Sequence, residues 1–233
     1  MTESKQIKSK KRVAEVGEVF TSEREVNSML DLVKQETERI DSRFLEPACG
    51  NGNFLKVILS RKLDVVKNKY KKNKSDFDKN CFLAMTSIYG IDIMEDNVIE
   101  CRNNLYTIFS EFYLNSYKRI DQDLEQAIKY VLNLNIICAD ALTMKYLNGN
   151  PIVFPEWNFV SSTKIKRRDY QYEELLSDND RGQMTIFDLD RQFDKERNVF
   201  IPNPIKEFPL TNYLKVGEVE WLHITLLNQS QPL

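Results

Sequence analysis

The sequence predicts an α/β fold, in which a parallel sheet carries helices on both faces. Three observations lead to this class. Short apolar segments alternate along the chain with longer segments of helical periodicity, an order typical of parallel strands joined by crossover helices. The first apolar segment ends in a Gly-x-Gly turn that leads into a helix. The next two apolar segments each contain an aspartate at their end, which places carboxylates at one edge of the expected sheet.

In the N-terminal part of the chain, the sequence predicts a basic segment followed by one amphipathic helix. Residues 1–17 are polar and basic, and we expect them to be mobile. The helix begins near Thr21, and either Thr21 or Ser22 can cap it, with acids in the first turn. The residues expected to face the core from this helix are Val26, Met29, Leu30 and Val33.

Three strands and three further helices follow in alternation. Phe44 and Leu45 are expected to begin a short buried strand that ends in the glycine turn, and a helix is expected at 53–63. The second strand is expected at 87–93, then a helix from near Glu95, a helix at 118–133, and the third strand at 135–142. The charged segment 67–80 is expected to be an insertion loop or a solvated helix end. Six of the seven prolines lie between Pro151 and Pro232, so 148–233 is expected to be an irregular extension that contacts a partner or DNA.

Composition excludes several classes of protein. With 233 residues, 42% of them hydrophobic, the chain can bury a sizeable core, and its net charge of −2 provides no global attraction for nucleic acid. The single histidine, His223, argues against His-based metal sites and Ser/His/Asp catalysis. Four separated cysteines and no long apolar run predict a cytoplasmic protein with reduced thiols, no membrane span and no metal site.

The glycine turn is suited to an anionic group. Gly50 and Gly52 stand one residue apart in EPACGNGNFL, where glycine permits unusual backbone angles and close approach to a ligand. The helix N-terminus that follows adds N–H donors and a partial positive charge, which favour a phosphate or a carboxylate. The G-x-G-x-x-G fingerprint is incomplete and the lysine of a P-loop is missing, so an ordinary turn before a helix remains the alternative.

Two aspartates are expected at the same edge of the sheet. Asp92 ends the second strand, where a carboxylate can accept both hydroxyls of a ribose, and Asp140 ends the third, where it can accept from an adenine amino group. Each has a simpler alternative. Asp92 can serve as a helix N-cap, and Asp140 can be a turn residue that faces solvent.

These segments together resemble the adenine-N6 DNA methyltransferases of restriction–modification systems. EPACGNGNFL is similar to that family's cofactor motif, D/N-P-A/P-C-G-S-G-x-F, and GEVFTSEREVNSML resembles the element that precedes it. GIDIMEDNV and ADAL resemble the next two elements, in the family's order. The resemblance covers 17–142 and departs from the family at Ser22 for proline, Glu46 for aspartate and Asn51 for serine. It implies a Rossmann-like class I methyltransferase domain at 18–147 and an S-adenosylmethionine-dependent, adenine-specific activity on DNA.

The resemblance also assigns roles to individual positions. It implies that Phe20 and Thr21 contact the methionyl group, that Asp92 binds the ribose, and that Ile93 and Asp140 bind the adenine. All positions that it gives to the cofactor are Phe20, Thr21, Glu46, Pro47, Ala48, Cys49, Gly50, Gly52, Asn53, Phe54, Asp92, Ile93, Asp140, Ala141 and Leu142.

The family's catalytic element, N/D/S-P-P-Y/F, is missing from the sequence. In that element the Asn or Asp side chain and a proline carbonyl accept the hydrogens of the adenine amine, while the aromatic ring stacks on the flipped base. The candidates here are Asn150 and Pro151 with Phe154, and the pair Asn203–Pro204, each with one proline only. An ordinary Asn-Pro loop is the alternative for both, so the catalytic residues stay unassigned.

A missing catalytic element beside complete cofactor motifs leads to the hypothesis of a split enzyme. This chain would be the cofactor-binding half, and a partner subunit would bring the N-P-P-Y strand, the rest of an otherwise incomplete sheet, and target recognition. The alternative is a non-catalytic structural, specificity or regulatory subunit of a restriction–modification or phage-defence complex. A methyltransferase that acts on an amine in RNA or protein is a third option.

Two segments of the C-terminal part suggest contacts with partners. Lys164, Lys166, Arg167 and Arg168 stand beside tyrosines, a pattern suited to a DNA phosphate track with stacking platforms, although a solvated strand or helix face is the alternative. The segment QMTIF, Gln183–Phe187, resembles short peptides that bind the bacterial sliding clamp and could equally anchor a partner subunit. The apolar, Pro-spaced run 199–210 is suited to an extended arm.

Overall fold

A computed structural model gives the architecture of the chain and describes residues 9, 12, 14, 21–177, 192–194, 199–201 and 203–218. The chain forms two compact units, Met1–Ala141 and Leu142–Leu233. The division lies close to the boundary that the sequence suggests after residue 147. Phe20 and the segment Gln183–Phe187 lie outside the described residues.

The first unit contains six described helices and three strands. The helices are α1 (Glu23–Asp31), α2 (Lys34–Thr37), α3 (Asn53–Tyr70), α4 (Lys74–Thr86), α5 (Glu95–Leu114) and α6 (Gln122–Asn135). The strands are β1 (Phe44–Glu46), β2 (Ile88–Asp92) and β3 (Ile136–Asp140). Each strand lies within a residue or two of its expected position, because short apolar runs between polar turns mark strands clearly. The first strand is less buried than predicted, since Leu45 is 37% exposed.

The three strands lie side by side in the order β1-β2-β3, and both pairs are parallel. In this register Phe44 lies opposite Ile88, and Gly90 opposite Ile136. Helices α3 and α4 connect β1 to β2, and α5 and α6 connect β2 to β3. Parallel strands require such crossovers. The mixed α/β class with a parallel sheet, as the sequence predicts, is therefore confirmed.

Helix α1 buries a narrower face than the sequence predicts. Val26 and Leu30 are buried, whereas Met29 is 54% exposed and Val33 45% exposed, so the expectation that all four face the core is wrong. The helix has nine residues and packs against α3 and α2, which bury Val26 and Leu30 but leave Met29 and Val33 exposed. Ser22, one of the two expected caps, is the N-cap and forms a capping box.

The charged segment 67–80 contains the solvated end of one helix and the start of the next, so the alternative of a solvated helix end is confirmed for 67–70 and the insertion loop is wrong. Helix α3 continues to Tyr70, and α4 starts after a cap at Asn73, whose side chain accepts from two backbone N–H groups of the first turn. Phe77 and Phe82 of α4 are fully buried. This helix is hard to predict from the sequence because its lysines lie on the solvated side and only a few aromatic residues pack into the core.

A lysine is buried below the first strand. Lys62 of α3 has no exposed surface, and its Nζ donates to the carbonyl oxygens of Ile40, at 3.1 Å, and Ser42, and to the Ser87 hydroxyl at 2.7 Å. The same ammonium lies 5.2 Å from the centre of the Phe44 ring. Lys62 thus ties the segment that enters β1 to the start of β2. Burial lowers the pKa of Lys62 to about 7, opposed by the charge of nearby carboxylates.

Stability should depend on pH through Lys62. The unfolded chain keeps this proton up to the usual pKa of 10.5, whereas the folded chain releases it at about 7, so unfolding takes up a proton between these values. The free energy of unfolding should therefore rise with pH across that interval, relative to Lys62→Met, by about 1.4 kcal/mol per pH unit. Urea unfolding at pH 7, 8 and 9 measures this difference. Lys67→Met, which removes an exposed lysine of the same helix, controls for the lost charge, and parallel pH profiles of Lys62→Met and the unmodified chain would contradict the prediction.

The second unit is built on an antiparallel sheet and is more regular than the expected extension. Its described elements are β4 (Lys145–Tyr146), β5 (Val153–Phe159), β6 (Lys164–Gln171), α7 (Tyr172–Ser177), β7 (Gln192–Asp194), β8 (Val199–Ile201), β9 (Lys206–Glu207), β10 (Thr211–Asn212) and a 3₁₀ turn (Tyr213–Lys215). Strand β6 pairs with β5, β9 and β10, while β7 pairs with β8. Pro155 lies inside β5, which has no second partner among the described residues of this sheet. A proline is tolerated on such an edge strand, but it made β5 hard to predict from the sequence.

Candidate functional site

The glycine turn follows β1 and is held against β2. Gly50 and Gly52 both have left-handed backbone angles, with φ of 53° and 88°. The Cys49 N–H donates to the Ile91 carbonyl at 2.8 Å, and the Gly52 N–H donates to the Cys49 carbonyl at 2.8 Å. These angles favour glycine strongly over any residue with a Cβ atom. The turn is therefore tightly wound and fixed to the neighbouring strand.

Helix α5 packs so closely on this turn that a side chain at position 52 has no room. A Cβ atom added to Gly52 would lie 2.7 Å from the Sγ of Cys101. Cys101 and Cys49 are both buried, and their mutual hydrogen bond together with burial raises the pKa of the Cys49 thiol. Cys49 therefore stays protonated and acts as a packing residue of the turn. Sequence reasoning did not find Cys101, since only its position in the fold brings it here.

Asp92 connects the turn to the next strand and helix. Its Oδ2 accepts from the Gly50 N–H at 2.8 Å, and its Oδ1 accepts from the Met94 N–H at 2.8 Å and from the Asn97 side chain at 3.2 Å. A carboxylate has about four lone-pair sites, so three bonds leave capacity for one more donor. The structure thus places Asp92 against the turn, and it also bonds the start of α5, although the N-cap position itself belongs to Met94.

Glu46 is the second carboxylate at the turn. It ends β1, and its Oε1 accepts from the Ala48 N–H at 3.3 Å. Partial burial raises the pKa of Glu46, and the Ala48 hydrogen bond acts in the opposite direction. Pro47 and Ala48 between the strand and the glycines are exposed. Glu46 therefore lies at the margin of the turn, where its side chain can accept from a donor on a ligand.

The helix that leaves the turn has an uncapped N-terminus. Helix α3 starts at Asn53 with Gly52 as N-cap and, like α2 and α5, has no side-chain capping hydrogen bond among the described residues. Helices α1, α4 and α6, by contrast, are capped by Ser22, Asn73 and Asp121. N–H groups at an uncapped helix end, together with the helix dipole, favour a negatively charged group. Phe54, the second residue of α3, is half-buried.

The segment before α1 reaches this helix end. The Asn53 side-chain amide donates to the Thr21 carbonyl at 2.9 Å, which brings Thr21 beside the start of α3. Thr21 and Asn53 are separated by 32 positions in sequence. The structure therefore brings together two of the segments that the sequence assigns to the cofactor.

The remaining predicted cofactor positions lie at the ends of β2 and β3. Ile93 follows β2 and is 50% exposed, and its carbonyl accepts from the Cys138 thiol at 3.5 Å. Asp140 ends β3 and is half-buried, as is Ala141, which follows it. Because Asp92 pairs with Cys138 in the parallel register, Asp140 extends beyond Asp92 at the same edge of the sheet. Leu142, with 94% of its surface exposed, belongs to the second unit.

Asn51 and Asn97 are site residues that the sequence did not assign. Asn51 sits between the two glycines, where its side-chain amide donates to Glu100 at 3.3 Å and its carbonyl accepts from Asn104 at 2.9 Å. The Asn51 Oδ1 is buried and has no hydrogen-bond partner in the part of the chain that the structure describes. Asn97 is buried and supports Asp92. The five-residue spacing between Asp92 and Asn97 carries no recognisable sequence signal.

A polar cleft lies away from the strand ends. It has a volume of about 460 Å³ and is lined by α1 and α3, with Ile108 from α5. It shares only Asn53 with the predicted cofactor positions. Its cation Arg61 is paired with Asp31 at 2.7 Å. The strand ends carry the converging polar groups that a cofactor requires, so this cleft is not the candidate site.

The candidate catalytic residues form a hairpin turn in the second unit. The Tyr146 N–H donates to the Asn150 carbonyl at 2.8 Å, Pro151 bridges to Lys145, and Gly149 has a φ of 85°. Phe154 is only 5% exposed and packs edge-on against Tyr172 in the core of this unit. Asn203 and Pro204 precede β9. A buried Phe154 is not presented as a platform for a base, and the hairpin fits the alternative of an ordinary turn.

The basic stretch lies on β6, where most of its charge is neutralised locally. Lys166 and Arg168 pair with Glu207 of β9 at 2.8 and 2.9 Å, and Lys164 is exposed. Arg167 is buried with Asp169, to which it donates from Nε at 2.7 Å and from Nη2 at 2.8 Å. These contacts account for the residues as parts of the sheet, and contact with DNA stays a prediction.

Asp169 should be important for the stability of the second unit. The Arg167 guanidinium also lies 4.0 Å from the centre of the Phe208 ring, so it is enclosed by protein. Asp169→Asn removes the carboxylate charge that accepts two hydrogen bonds from this buried guanidinium, and it should lower the free energy of unfolding by about 3 kcal/mol. Glu207→Gln, which alters exposed ion pairs between β9 and β6 of the same sheet, is the matched control. It should change the free energy of unfolding little. Urea unfolding followed by tryptophan fluorescence measures both, and equal losses for the two variants would contradict the prediction.

The described residues offer no metal site. All four cysteines are free thiols, with Cys138 the least buried of them. No cluster of three or more His, Cys, Asp or Glu side chains that could hold a metal ion occurs in the described part of the chain. Within the same ranges, no helix has both the length and the apolar character needed to cross a membrane.

The fold and the site define a mixed α/β protein with a glycine turn and carboxylates at adjoining strand ends. Neither protein-family models, nor curated proteins, nor solved structures give a match to this chain. Its function is therefore a proposal that draws on its own residues and on the motif resemblance.

Proposed function

We propose that this chain is a Rossmann-like class I methyltransferase domain that binds S-adenosylmethionine and serves as the cofactor-binding half of an adenine-N6 DNA methyltransferase. One observation carries the proposal. The Gly50 N–H donates to the Asp92 carboxylate at 2.8 Å, which links the segments EPACGNGNFL and GIDIMEDNV at the strand ends. Ligands of open parallel sheets bind at these ends, where a glycine turn and an acid on the next strand suit a nucleoside cofactor.

The residues present fit such a cofactor. The uncapped start of α3 offers N–H donors for the carboxylate of the methionyl group, and Gly50 and Gly52 keep the surface of the turn free of side chains. The Asn51 Oδ1, between the two glycines, is a buried acceptor without a hydrogen-bond partner among the described residues. Asp92 retains capacity for a ribose hydroxyl, and Asp140 lies farther along the same edge for the adenine.

These residues would bind and orient the cofactor. When bound, S-adenosylmethionine supplies an electrophilic methyl group on a sulfonium. The hydrogen bond to Cys101, together with burial below the turn, raises the pKa of the Cys49 thiol, so Cys49 stays protonated and is not a thiolate nucleophile toward that methyl group. Asp92 fixes both the turn and the start of α5, so the site is organised before ligand arrives.

The proposal includes DNA as the methyl acceptor and a partner subunit, because the site that would hold the acceptor is missing from this chain. The sequence has no N/D/S-P-P-Y/F element, Asn150 lies in a hairpin turn, and Phe154 is buried. A second polypeptide would supply the groups that hold the adenine amine and recognise the target. The same observations favour the second candidate, a non-catalytic subunit of such a complex.

Calorimetric titration of the purified chain with S-adenosylhomocysteine tests the proposal. We expect saturable binding with one site per chain. Absence of binding by the folded chain would remove the cofactor role and leave the structural subunit. Transfer of radioactive methyl groups to adenine-containing DNA by this chain alone would instead contradict the split arrangement.

A further inference from the structure

Helix α5 faces the glycine turn with a row of polar side chains. Asn97, Glu100 and Asn104 lie three and four positions apart on this helix, so they share one of its faces. Asn97 donates to Asp92 at 3.2 Å, and the other two both bond Asn51. Apolar residues normally occupy a helix face that packs against the rest of a protein. A polar row that bonds one turn therefore indicates a role beyond packing.

Asn104 bonds the peptide unit between Asn51 and Gly52. Its side-chain amide donates to the Asn51 carbonyl at 2.9 Å. The N–H of the same peptide unit, which belongs to Gly52, donates to the Cys49 carbonyl at 2.8 Å. The Asn51 side chain reaches the same helix, where it donates to Glu100 at 3.3 Å. Helix α5 thus contacts both the backbone and the side chain of the residue between the two glycines.

The two glycines make support from outside the turn necessary. Gly50 and Gly52 have φ of 53° and 88°, and glycine adopts left-handed and right-handed angles with similar ease. The peptide units beside them are therefore free to rotate unless a bond from another element holds them. Asp92 accepts from the Gly50 N–H, and so holds the turn from β2. Asn104 donates to the Asn51 carbonyl, and so holds it from α5.

The two supporting side chains differ in what else they reach. Asp92 ends β2 and keeps capacity for a further donor, so in the proposed function it also binds the ribose. Asn104 lies in the third turn of α5 and uses its amide on the Asn51 carbonyl. Its effect on a ligand therefore passes through the turn, whereas that of Asp92 is both direct and indirect.

We infer that Asn104 is a positioning residue for the methionyl end of the cofactor. The inference rests on the proposed function, in which the turn and the start of α3 hold the methionyl group while Asp92 and Asp140 bind the nucleoside. Asn104 keeps the Asn51 carbonyl directed at α5, so that this oxygen does not rotate toward the negatively charged carboxylate of the ligand. Without the amide, only the fraction of chains with an ordered turn is competent to bind the methionyl group.

Asn104→Ala and Asn103→Ala form a matched pair of variants. Each removes an asparagine side chain from α5, but Asn103 is exposed. S-adenosylhomocysteine contains the amino-acid group of the methionyl end, whereas 5′-methylthioadenosine has the same nucleoside and a thioether without that group. We expect Asn104→Ala to weaken binding of S-adenosylhomocysteine by about tenfold and to keep the Kd of 5′-methylthioadenosine within about twofold. Asn103→Ala should change neither Kd.

Isothermal titration of each variant with both ligands tests the inference, after circular dichroism has shown that the variant is folded. A loss confined to S-adenosylhomocysteine supports it. Equal Kd values for Asn104→Ala and Asn103→Ala overturn it, and so does equal weakening of both ligands, since a general loss of structure affects the nucleoside as well. Asn104→Asp keeps the size of the side chain but replaces the donor by an acceptor. It should show the same selective loss, so the test does not depend on the space that alanine leaves.

Hydrogen exchange at the Gly52 amide, followed by nuclear magnetic resonance, tests the contact without a ligand. This N–H belongs to the peptide unit whose carbonyl Asn104 binds, so Asn104→Ala should speed its exchange by about tenfold and Asn103→Ala should not. Unchanged exchange overturns the inference. If the unmodified chain binds no S-adenosylhomocysteine, the proposed function and the cofactor role of Asn104 fail together. Faster exchange in Asn104→Ala would then show a side chain that only stabilises the turn.

Discussion

Asp92→Ala is expected to weaken binding of S-adenosylhomocysteine by about 100-fold or more. The substitution removes the acceptor of three donors, the N–H groups of Gly50 and Met94 and the side chain of Asn97, and it also removes the expected ribose contact. The turn then loses its connection to α5 at the same time as the ligand loses a partner. Isothermal titration of the variant and of the unmodified chain measures the change in Kd.

Asp96→Ala is the matched control, because it removes an acid from the first turn of the same helix. Asp96 pairs with Arg12, and its side chain is 52% exposed. Its Kd should stay within about threefold of the unmodified value. A Kd for Asp92→Ala equally close to that value would show that the carboxylate only shapes the strand end and takes no part in binding.

Gly52→Ala is expected to lower the free energy of unfolding by about 3 kcal/mol, the largest effect on stability among the single methyl additions considered. Two costs combine. A φ of 88° is unfavourable for alanine, and the new methyl group would lie 2.7 Å from the Cys101 Sγ, which α5 holds in place. Urea unfolding followed by circular dichroism measures the loss.

Two variants separate these costs. Gly149→Ala introduces a methyl group at a φ of 85° with no atom within 4 Å, so it should cost only about 1 kcal/mol. In Gly52→Ala/Cys101→Ala the collision is removed, and the double variant should be more stable than the sum of the single changes predicts. Equal losses for Gly52→Ala and Gly149→Ala would mean that Cys101 moves aside and that the contact carries no constraint.

The parallel strands and the glycine turn were predictable because their signals are local. Buried β-branched runs, two glycines and an aspartate after a strand each follow from a few adjacent residues. The exposure of Met29 and Val33 was not predictable, because helical spacing shows which residues share a face but not how much of that face a neighbouring element covers. Helix α4 was not predicted because its lysines resemble those of a polar loop, and β5 was not predicted because it contains Pro155.

The candidate site was predictable in its residues but not in its connections. The sequence indicated Gly50, Gly52 and Asp92, whereas the bond between Gly50 and Asp92 joins positions 42 residues apart and appears only in the fold. The supporting Asn97 and the contact with Cys101 likewise depend on how α5 packs. Long-range packing of this kind leaves no periodicity in a single sequence, which explains why these two residues were missed.

The close contact between Gly52 and Cys101 has an evolutionary consequence. The space between the turn and α5 holds one small side chain, so the size of residue 101 limits the turn as firmly as the glycine does. Homologous chains with the same turn should therefore carry Cys, Ala, Ser or Gly at position 101, and any larger residue there should be accompanied by a changed turn. Positions 52 and 101 are thus expected to vary together as a coupled pair, although they lie far apart in the sequence.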